Sequence, residues 1–156
     1  MNIRQADLND ISDIVKLFSE VVNSLPYYNT SGKQLEIEAH NAIHLSNQMA
    51  NEPGSIWVAT ESSIIVGVAI TGYDYGTAYL YWLVVDEKYR RQGIADKLLN
   101  AIESHWKDNN VHKMWCDTRT TNRPMIDFLS KHKWIGFTML RNHWYNQDFY
   151  LWEKLI

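Results

Sequence analysis

A strand, an amphipathic helix and a second strand follow one another between residues 79 and 117, and this order restricts the fold more than any other feature of the chain. The helix GIADKLLNAIESHWKDN carries one apolar face. That face consists of Ile94, Leu98, Ala101, Ile102 and Trp106. Two strands joined in this way lie parallel in one sheet, connected by a right-handed crossover. The sequence therefore predicts an α/β protein built around a parallel pair.

The remaining segments predict hairpin strands and further helices around this unit. Ile3–Gln5 has strand composition, a helix follows a candidate N-cap at Asp7, and a second helix covers residues 33–50. SIWVAT and SIIVGVAIT form a hairpin around Glu61 and Ser62. NRPMIDFLSKH is the last helix, and two aromatic strands end the chain. The predicted order is β-α-α-β-β-β-α-β-α-β-β, which makes the sheet mixed.

Length, charge and cysteine content restrict the class of protein. A chain of 156 residues can bury the core of one domain, so we predict a single domain over residues 1–156. The net charge of −3 provides no basic field for nucleic acid or an anionic membrane. Cys116 is the only cysteine, which excludes an intrachain disulfide and fits the cytoplasm. No apolar run reaches the roughly 18 residues of a membrane span.

The turn between the first strand of the crossover and its helix reads YRRQGIA. The first turn of a helix has free N–H groups and a partial positive charge, which suit an anion. Gly93 has no side chain, so a ligand can approach the backbone closely and the residue can adopt a positive φ. Ala95 adds little bulk to the next turn of the helix, and the two arginines supply hydrogen-bond donors for a diphosphate. The alternative is that Gly93 only starts a helix and the arginines are solvated. Neither G-x-G-x-x-G nor G-x-x-x-x-G-K-[ST] occurs, which argues against a Rossmann site and a P-loop.

RRQGIA resembles the acyl-CoA signature [RQ]-x-x-G-x-[GA] of the GNAT superfamily of N-acyltransferases. LVVDEKYRRQGIADKLL resembles that family's strand–loop–helix core, TTNRPMIDFLSKHKWIGF resembles its later helix, and the element order is also similar. The resemblance implies a mixed, mostly antiparallel twisted sheet of about six to seven strands flanked by about four helices, with a splayed parallel pair at the cofactor site. It also implies an N-acetyltransferase that uses acetyl-CoA and no metal. Its acceptor would be a primary amine of a small metabolite or a peptide, which attacks the thioester directly.

The resemblance further implies which residues bind acetyl-CoA. The amides of the turn would hold the diphosphate, and the backbone of the splayed strand would pair with the pantetheine arm. These positions are Leu83, Val84, Val85, Arg90, Arg91, Gln92, Gly93, Ile94, Ala95 and Asp96. Asn122 matches the family asparagine that contacts the cofactor, and Lys131 on the following helix is a further candidate.

The resemblance implies the catalytic residues less completely than the cofactor-binding ones. Asp117 lies where ribosomal-protein-type members place a carboxylate base, which an ammonium acceptor needs to lose its proton. The alternative is that Asp117 caps the loop before the next helix. The tyrosine acid of the family corresponds to Leu129, and the acidic residue of the preceding strand corresponds to Tyr81. Tyr81 and Tyr145 are candidate replacements for the acid, unless the thiolate leaves without one.

Candidate acceptor-binding residues lie in the loop after the first helix, at the central hairpin and in the late aromatic segment. They are Tyr27, Tyr28, Tyr73, Asp74, Tyr75, His143, Trp144 and Tyr145. Asp74 between two tyrosines would bind a cationic amine, although the same residues also fit an ordinary hairpin tip. Glu36, His40 and His44 share four-residue spacing, which we interpret as a polar helix face, not a metal site.

Two other kinds of function remain open. The first is an acyl-CoA-binding module with little or no turnover, which the leucine at position 129 favours. The second is an interaction protein that kept the fold and lost the ligand. Homodimers occur among the proteins that the chain resembles, and the aromatic C-terminal strands are the candidate interface.

Overall fold

The computed structural model describes residues 1–156 and contains one seven-stranded sheet and five α-helices. In chain order the elements are β1 (Asn2–Gln5), α1 (Ile11–Ser24), α2 (Thr30–Ala39), α3 (Ala42–Asn51), β2 (Ile56–Glu61), β3 (Ile64–Asp74), β4 (Thr77–Val85), α4 (Ile94–Asp108), β5 (Lys113–Arg119), α5 (Arg123–Lys131), β6 (Ile135–Leu140) and β7 (Phe149–Leu155). The strands lie in the order β1-β2-β3-β4-β5-β7-β6. None of the helices combines the length and the apolar character needed to cross a bilayer.

The core consists of two apolar clusters, in which helices pack against the sheet. One is formed mainly by α4 with strand residues and Leu129 of α5, and the other by α1 with Leu45 of α3 and residues of β2 and β3. The apolar face predicted for α4 is the buried one, because Ile94, Leu98 and Ile102 are almost inaccessible to solvent. Burial of such side chains contributes about 1.5–3 kcal/mol each.

All strand pairs are antiparallel except β4 with β5, which are parallel. This parallel pair is short, since only residues 77–79 of β4 face β5, the last match being Tyr79 with Trp115. Beyond it the strands diverge. The register of β4 on β3 also shifts by one residue, because Leu80 pairs with Thr71 and Trp82 with Ile70. The predicted mixed sheet and its splayed parallel pair are thus confirmed.

Three details of the prediction were wrong. The helix predicted over residues 33–50 is two helices, because the chain breaks at His40 and the side chain of Asn41 accepts a hydrogen bond from the His44 amide to start α3. The structure therefore has five helices, where about four were predicted. The side chain of Asp7 caps a short 3₁₀ turn that precedes α1, so it is not the N-cap of the helix itself.

The third error concerns the hairpin between β2 and β3. Its two turn residues are Ser62 and Ser63, one position later than predicted, with φ values of 48° and 67°. Positive φ at both central positions is the geometry that matches the twist of a two-residue hairpin.

Candidate active site

A cavity of about 1450 Å³ opens where β4 and β5 diverge. Its wall is formed by the loop between α1 and α2, the splayed strands, the turn before α4, the start of α5 and the segment before β7. Most ligand pockets have a volume of about 300–1,000 Å³, so this one has room for an elongated ligand and a second molecule.

The turn before α4 forms one end of the cavity. Gly93 adopts φ +75° and ψ 13°, and Arg91 has φ +61°. The backbone amides of residues 91–96 have no hydrogen-bond acceptor within the chain. Arg90 lines the cavity, and its Nε donates to the Val85 carbonyl at 3.1 Å. A series of free amides at a helix N-terminus beside an arginine is an anion-binding arrangement.

The edge of β4 continues the wall from this turn. Leu83, Val84 and Val85 lie beyond the last residue that pairs with β5, so their backbone on that edge has no strand partner. Asn122 also lines the cavity and caps α5, where its Oδ1 accepts from the Met125 amide at 3.4 Å. The structure therefore brings these residues together at one cavity.

Two of the predicted cofactor residues do not bring their side chains to the cavity wall. Lys131 donates from Nζ to Asp96 Oδ1 at 2.5 Å, and His132 Nε2 lies 3.0 Å from the same oxygen. The Asp96 carboxylate therefore joins α4 to α5, and its hydrogen bond from Lys131 lowers the pKa of that carboxyl group. The Gln92 side chain is exposed, with only a 3.5 Å contact to the Lys88 carbonyl.

Asp117 lies in the middle of β5 and lines the cavity. Its Oδ2 accepts from the Tyr79 hydroxyl at 2.6 Å and from Trp144 Nε1 at 3.2 Å, while Oδ1 has no partner in the chain. Burial, and then the negative charge of Asp117, raise the pKa of Tyr79 far above its ordinary value. The capping alternative for Asp117 was wrong, because Asn122 caps α5.

Glu36 is a second carboxylate in the wall, which sequence reasoning had interpreted only as part of a polar helix face. Tyr145 donates to Glu36 Oε1 at 3.0 Å and Tyr28 contacts the same oxygen at 3.4 Å. Burial and the nearby Glu36 raise the pKa of Tyr145 to about 12. The rings of His40 and His44 contact the main-chain carbonyls of residues 36 and 38, and the chain contains no group of three or more candidate metal ligands.

Arg119 is the most buried charged side chain of the wall, at 5% exposure. Its Cζ lies 3.5 Å from the ring centroid of Tyr28, and three further rings lie within 5.5 Å. Those rings belong to Tyr27, Tyr145 and Phe149. Its Nε donates to Gln147 Oε1 at 2.5 Å. Sequence reasoning missed this residue; the available signal was an arginine two positions after Asp117, on the same face of β5.

The remaining acceptor candidates are divided between the cavity and the surface. Tyr27, Tyr73, Asp74, His143 and Trp144 line the cavity together with the tyrosines already described. Tyr75 does not, because it occupies the exposed tip of the β3–β4 hairpin with 95% of its surface accessible. For Tyr75 the ordinary hairpin tip was therefore the correct reading.

Two positions considered for a catalytic acid, Tyr81 and Leu129, lie in different environments. Tyr81 lies at the register shift of β4, lines the cavity and has no hydrogen-bond partner for its hydroxyl in the chain. Leu129, at the family tyrosine position, is fully buried in the core. Cys116 is buried as well, and burial raises the pKa of its thiol well above the ordinary value, so it is an inert core residue.

Comparison with known proteins finds one matching family model and several solved structures with the same fold. A family model described as the Acetyltransferase (GNAT) family matches residues 23–137. No curated protein matches the chain. The PaiA N-acetyltransferase from Thermoplasma acidophilum, solved in complex with coenzyme A, is 16% identical with a TM-score of 0.83, over 99% of this chain and 98% of that one.

Two further solved structures share the fold at similar identity. Ard1 from Thermoplasma volcanium is 22% identical with a TM-score of 0.80, over 99% of this chain and 97% of that one. The ribosomal-protein-S18-alanine N-acetyltransferase from Escherichia coli is 18% identical with a TM-score of 0.74, over 99% and 93%. At these identities the likeness concerns the fold.

Proposed function

Because this chain belongs to the GNAT acetyltransferase family, we propose that it is an acetyl-CoA-dependent N-acetyltransferase acting on a primary amine. One observation carries the proposal: the free amides of residues 91–96, the unpaired edge of β4 and the Asp117 carboxylate face a single cavity. Such a site can bind an anionic, extended ligand at one end and accept a proton near the other.

The residues present fit coenzyme A, whose bound acetyl thioester supplies the activated acyl group. The amides from Arg91 to Asp96 and the Arg90 guanidinium would hold the diphosphate, since helix N-termini and arginine both bind phosphate. The backbone of residues 83–85 would bind the pantetheine arm by strand addition. Asn122, whose Oδ1 is used for capping, would contribute its side-chain amide.

Asp117 is the proposed general base. A protonated amine must lose a proton before it can attack, and a carboxylate can take that proton directly or through a water. Tyr79 and Trp144 fix Oδ2, which leaves Oδ1 for the acceptor. Tyr81 is the better candidate for the acid, because the Tyr145 hydroxyl is already bound to Glu36.

Calorimetric titration with acetyl-CoA and a thiol-release assay over a panel of amines test this function together. We expect binding at one site per chain, and turnover that Asp117→Asn lowers about 100-fold or more while cofactor affinity persists. Asp127→Asn, an exposed carboxylate on α5, is the matched control and should behave like the unmodified protein. A folded protein that does not bind acetyl-CoA would disprove the proposal.

A binding module without turnover is the second candidate. It is favoured by the burial of Leu129 in the core, at the position where the family tyrosine acid is expected. Tight acetyl-CoA binding with no product from any amine would identify this function and exclude the enzyme.

Self-association is also proposed, through the edge strand β6. This strand pairs with β7 on one side only, and Ile135, Phe137 and Met139 are 64%, 51% and 40% exposed. An open, apolar strand edge pairs readily with another strand. Light scattering of the purified protein should give the mass of a dimer, and a monomer mass would contradict this.

A further inference from the structure

We propose that the acceptor is an amine that also carries a carboxylate, such as a free amino acid or a short peptide with a free C-terminus, and that Arg119 binds this carboxylate. The inference rests on the proposed acetyltransferase function, because it concerns the same cavity. It applies to the part lined by Glu36, Asp117, Arg119 and Tyr145, which we call the acceptor end. It specifies the substrate class that the family assignment leaves open.

Arg119 is a buried charge with no opposite charge beside it. It forms no ion pair with any carboxylate of the chain. Its partners are the faces of aromatic rings and the neutral side chain of Gln147, which is bound by Nε alone. A guanidinium has five N–H donors in a planar fork, and burying it without a counter-ion is unfavourable. No carboxylate of the chain pairs with either Nη group, so the fork of the guanidinium can bind a bidentate carboxylate.

Two carboxylates of the cavity, Asp117 and Glu36, are also without a charged cation beside them. Asp117 accepts only from a phenol and an indole, and Glu36 accepts from two phenols. The basic group nearest to Glu36 is His40 Nδ1, at 3.9 Å. Burial lowers the pKa of His40, so this ring is neutral at physiological pH. This part of the cavity thus presents the unpaired cation of Arg119 and the unpaired anions of Asp117 and Glu36, and the Asp74 carboxylate at the end of β3 forms no ion pair either.

A ligand with both charges matches this arrangement better than a ligand with one. A diamine would pair with the carboxylates but would place a second cation near Arg119. An uncharged amine would leave the guanidinium without a counter-ion. An amine that carries a carboxylate satisfies Arg119 and a carboxylate of the wall together.

The spacing of the two groups also fits a small molecule. Asp117 and Arg119 are two residues apart on β5, so their side chains project from the same face of the strand. Their Cα atoms are separated by about 7 Å at the rise of a β-strand. A molecule of amino-acid or dipeptide size can therefore place its amine at Asp117 and its carboxylate at Arg119.

Matched acceptors test this without changing the protein. The probes are alanyl-alanine, the same dipeptide as its C-terminal amide, and 1,4-diaminobutane, each assayed with acetyl-CoA by thiol release. We expect kcat/KM for the free carboxylate to exceed that for the other two by about 100-fold. Equal rates for the dipeptide and its amide would overturn the inference while leaving the acetyltransferase proposal intact.

Variants of Arg119 then test whether this residue causes the preference for a free carboxylate. Arg119→Gln should lower kcat/KM for alanyl-alanine about 100-fold, chiefly through KM, and leave the amide unchanged. Arg119→Lys should restore part of the preference, because it keeps the charge but not the fork. Arg141→Gln, an exposed arginine, is the control. Circular dichroism and an unchanged affinity for acetyl-CoA verify that the variants are folded, and an Arg119→Gln protein that keeps its full preference would contradict the assignment.

If no amine is turned over, binding decides the same question. Alanyl-alanine is titrated calorimetrically into the protein saturated with coenzyme A, and its amide is titrated in parallel. Binding of the carboxylate form alone supports the inference, and binding of neither form or of both equally overturns it. Failure of acetyl-CoA itself to bind is a separate result, which refutes the proposed function and this inference with it.

Discussion

The two ends of the cavity are built from different parts of the polypeptide. At the turn before α4 the groups that face the cavity are backbone amides and a strand edge, all within the continuous segment 80–96. At the acceptor end they are side chains from α2, β5 and the segment before β7, including Glu36, Arg119 and Tyr145. A site made of backbone depends on a few dihedral angles, whereas a site made of side chains depends on how distant elements pack.

The largest expected effect comes from breaking the backbone end. Gly93 has φ +75°, which a β-branched residue avoids, so Gly93→Val should displace the amides that follow it. Each helix-terminus contact is worth about 0.3–1 kcal/mol, and losing several would weaken acetyl-CoA binding by roughly 100-fold. The measurement is calorimetric titration with acetyl-CoA.

The matched control for that variant is Gly76→Val. Gly76 also has a left-handed backbone, with φ +83°, but it lies in the hairpin between β3 and β4 and does not line the cavity. It should lose stability without losing affinity. If both variants bound acetyl-CoA like the unmodified protein, the turn would not be the phosphate site.

A smaller effect is expected from Tyr79→Phe at the side-chain end. The substitution removes the 2.6 Å hydrogen bond to Asp117, so the carboxylate is held in place by Trp144 alone. A hydrogen bond to a charged group is worth about 1.5–3 kcal/mol, and we expect kcat to fall at least tenfold while acetyl-CoA affinity stays the same. Tyr150→Phe, outside the cavity, is the control, and equal losses in both variants would contradict the positioning role.

The smallest effect is a loss of stability at alkaline pH that originates at the acceptor end. Tyr145 keeps its proton in the folded state up to a pKa of about 12, whereas an unfolded tyrosine ionises near 10.0. Between these values the unfolded state binds fewer protons, so the free energy of unfolding falls as pH rises. Tyr145→Phe should therefore lose less stability than the unmodified protein when urea unfolding is compared at about pH 8 and about pH 11. An equal loss would show that Tyr145 is not shielded from solvent.

Much of the fold was predictable because it depends on local patterns. The three- and four-residue spacing in α4 and the β-rich runs on both sides identify the crossover, and the later hairpins follow from composition. The break between α2 and α3 was missed because residues 33–50 have one continuous polar and apolar pattern. The available signal was Asn41, a good N-cap in the middle of the segment.

The candidate site also contains one part that was predictable from local sequence and one part that was not. The turn around Gly93 and the unpaired edge of β4 were predictable, since one short segment supplies them and RRQGIA marks it. Lys131 was predicted to reach this end, but Asp96 holds its ammonium between α4 and α5. Sequence spacing placed Lys131 on the right helix and could not show which neighbour would bind it.

By itself the sequence determined the order of the strands along the chain and the central strand–helix–strand crossover. It also determined the glycine turn at the start of α4 and the position of Asp117 on the strand after it. Only the tertiary structure decided that Glu36 meets Tyr145, 109 residues away in the chain, and that Arg119 is buried among aromatic rings without a carboxylate. The physical reason is the distance along the chain over which each feature is determined. Backbone dihedral angles and apolar periodicity are set within a few residues, whereas the partner of a buried charge is fixed only when helices and strands from distant parts of the chain pack together.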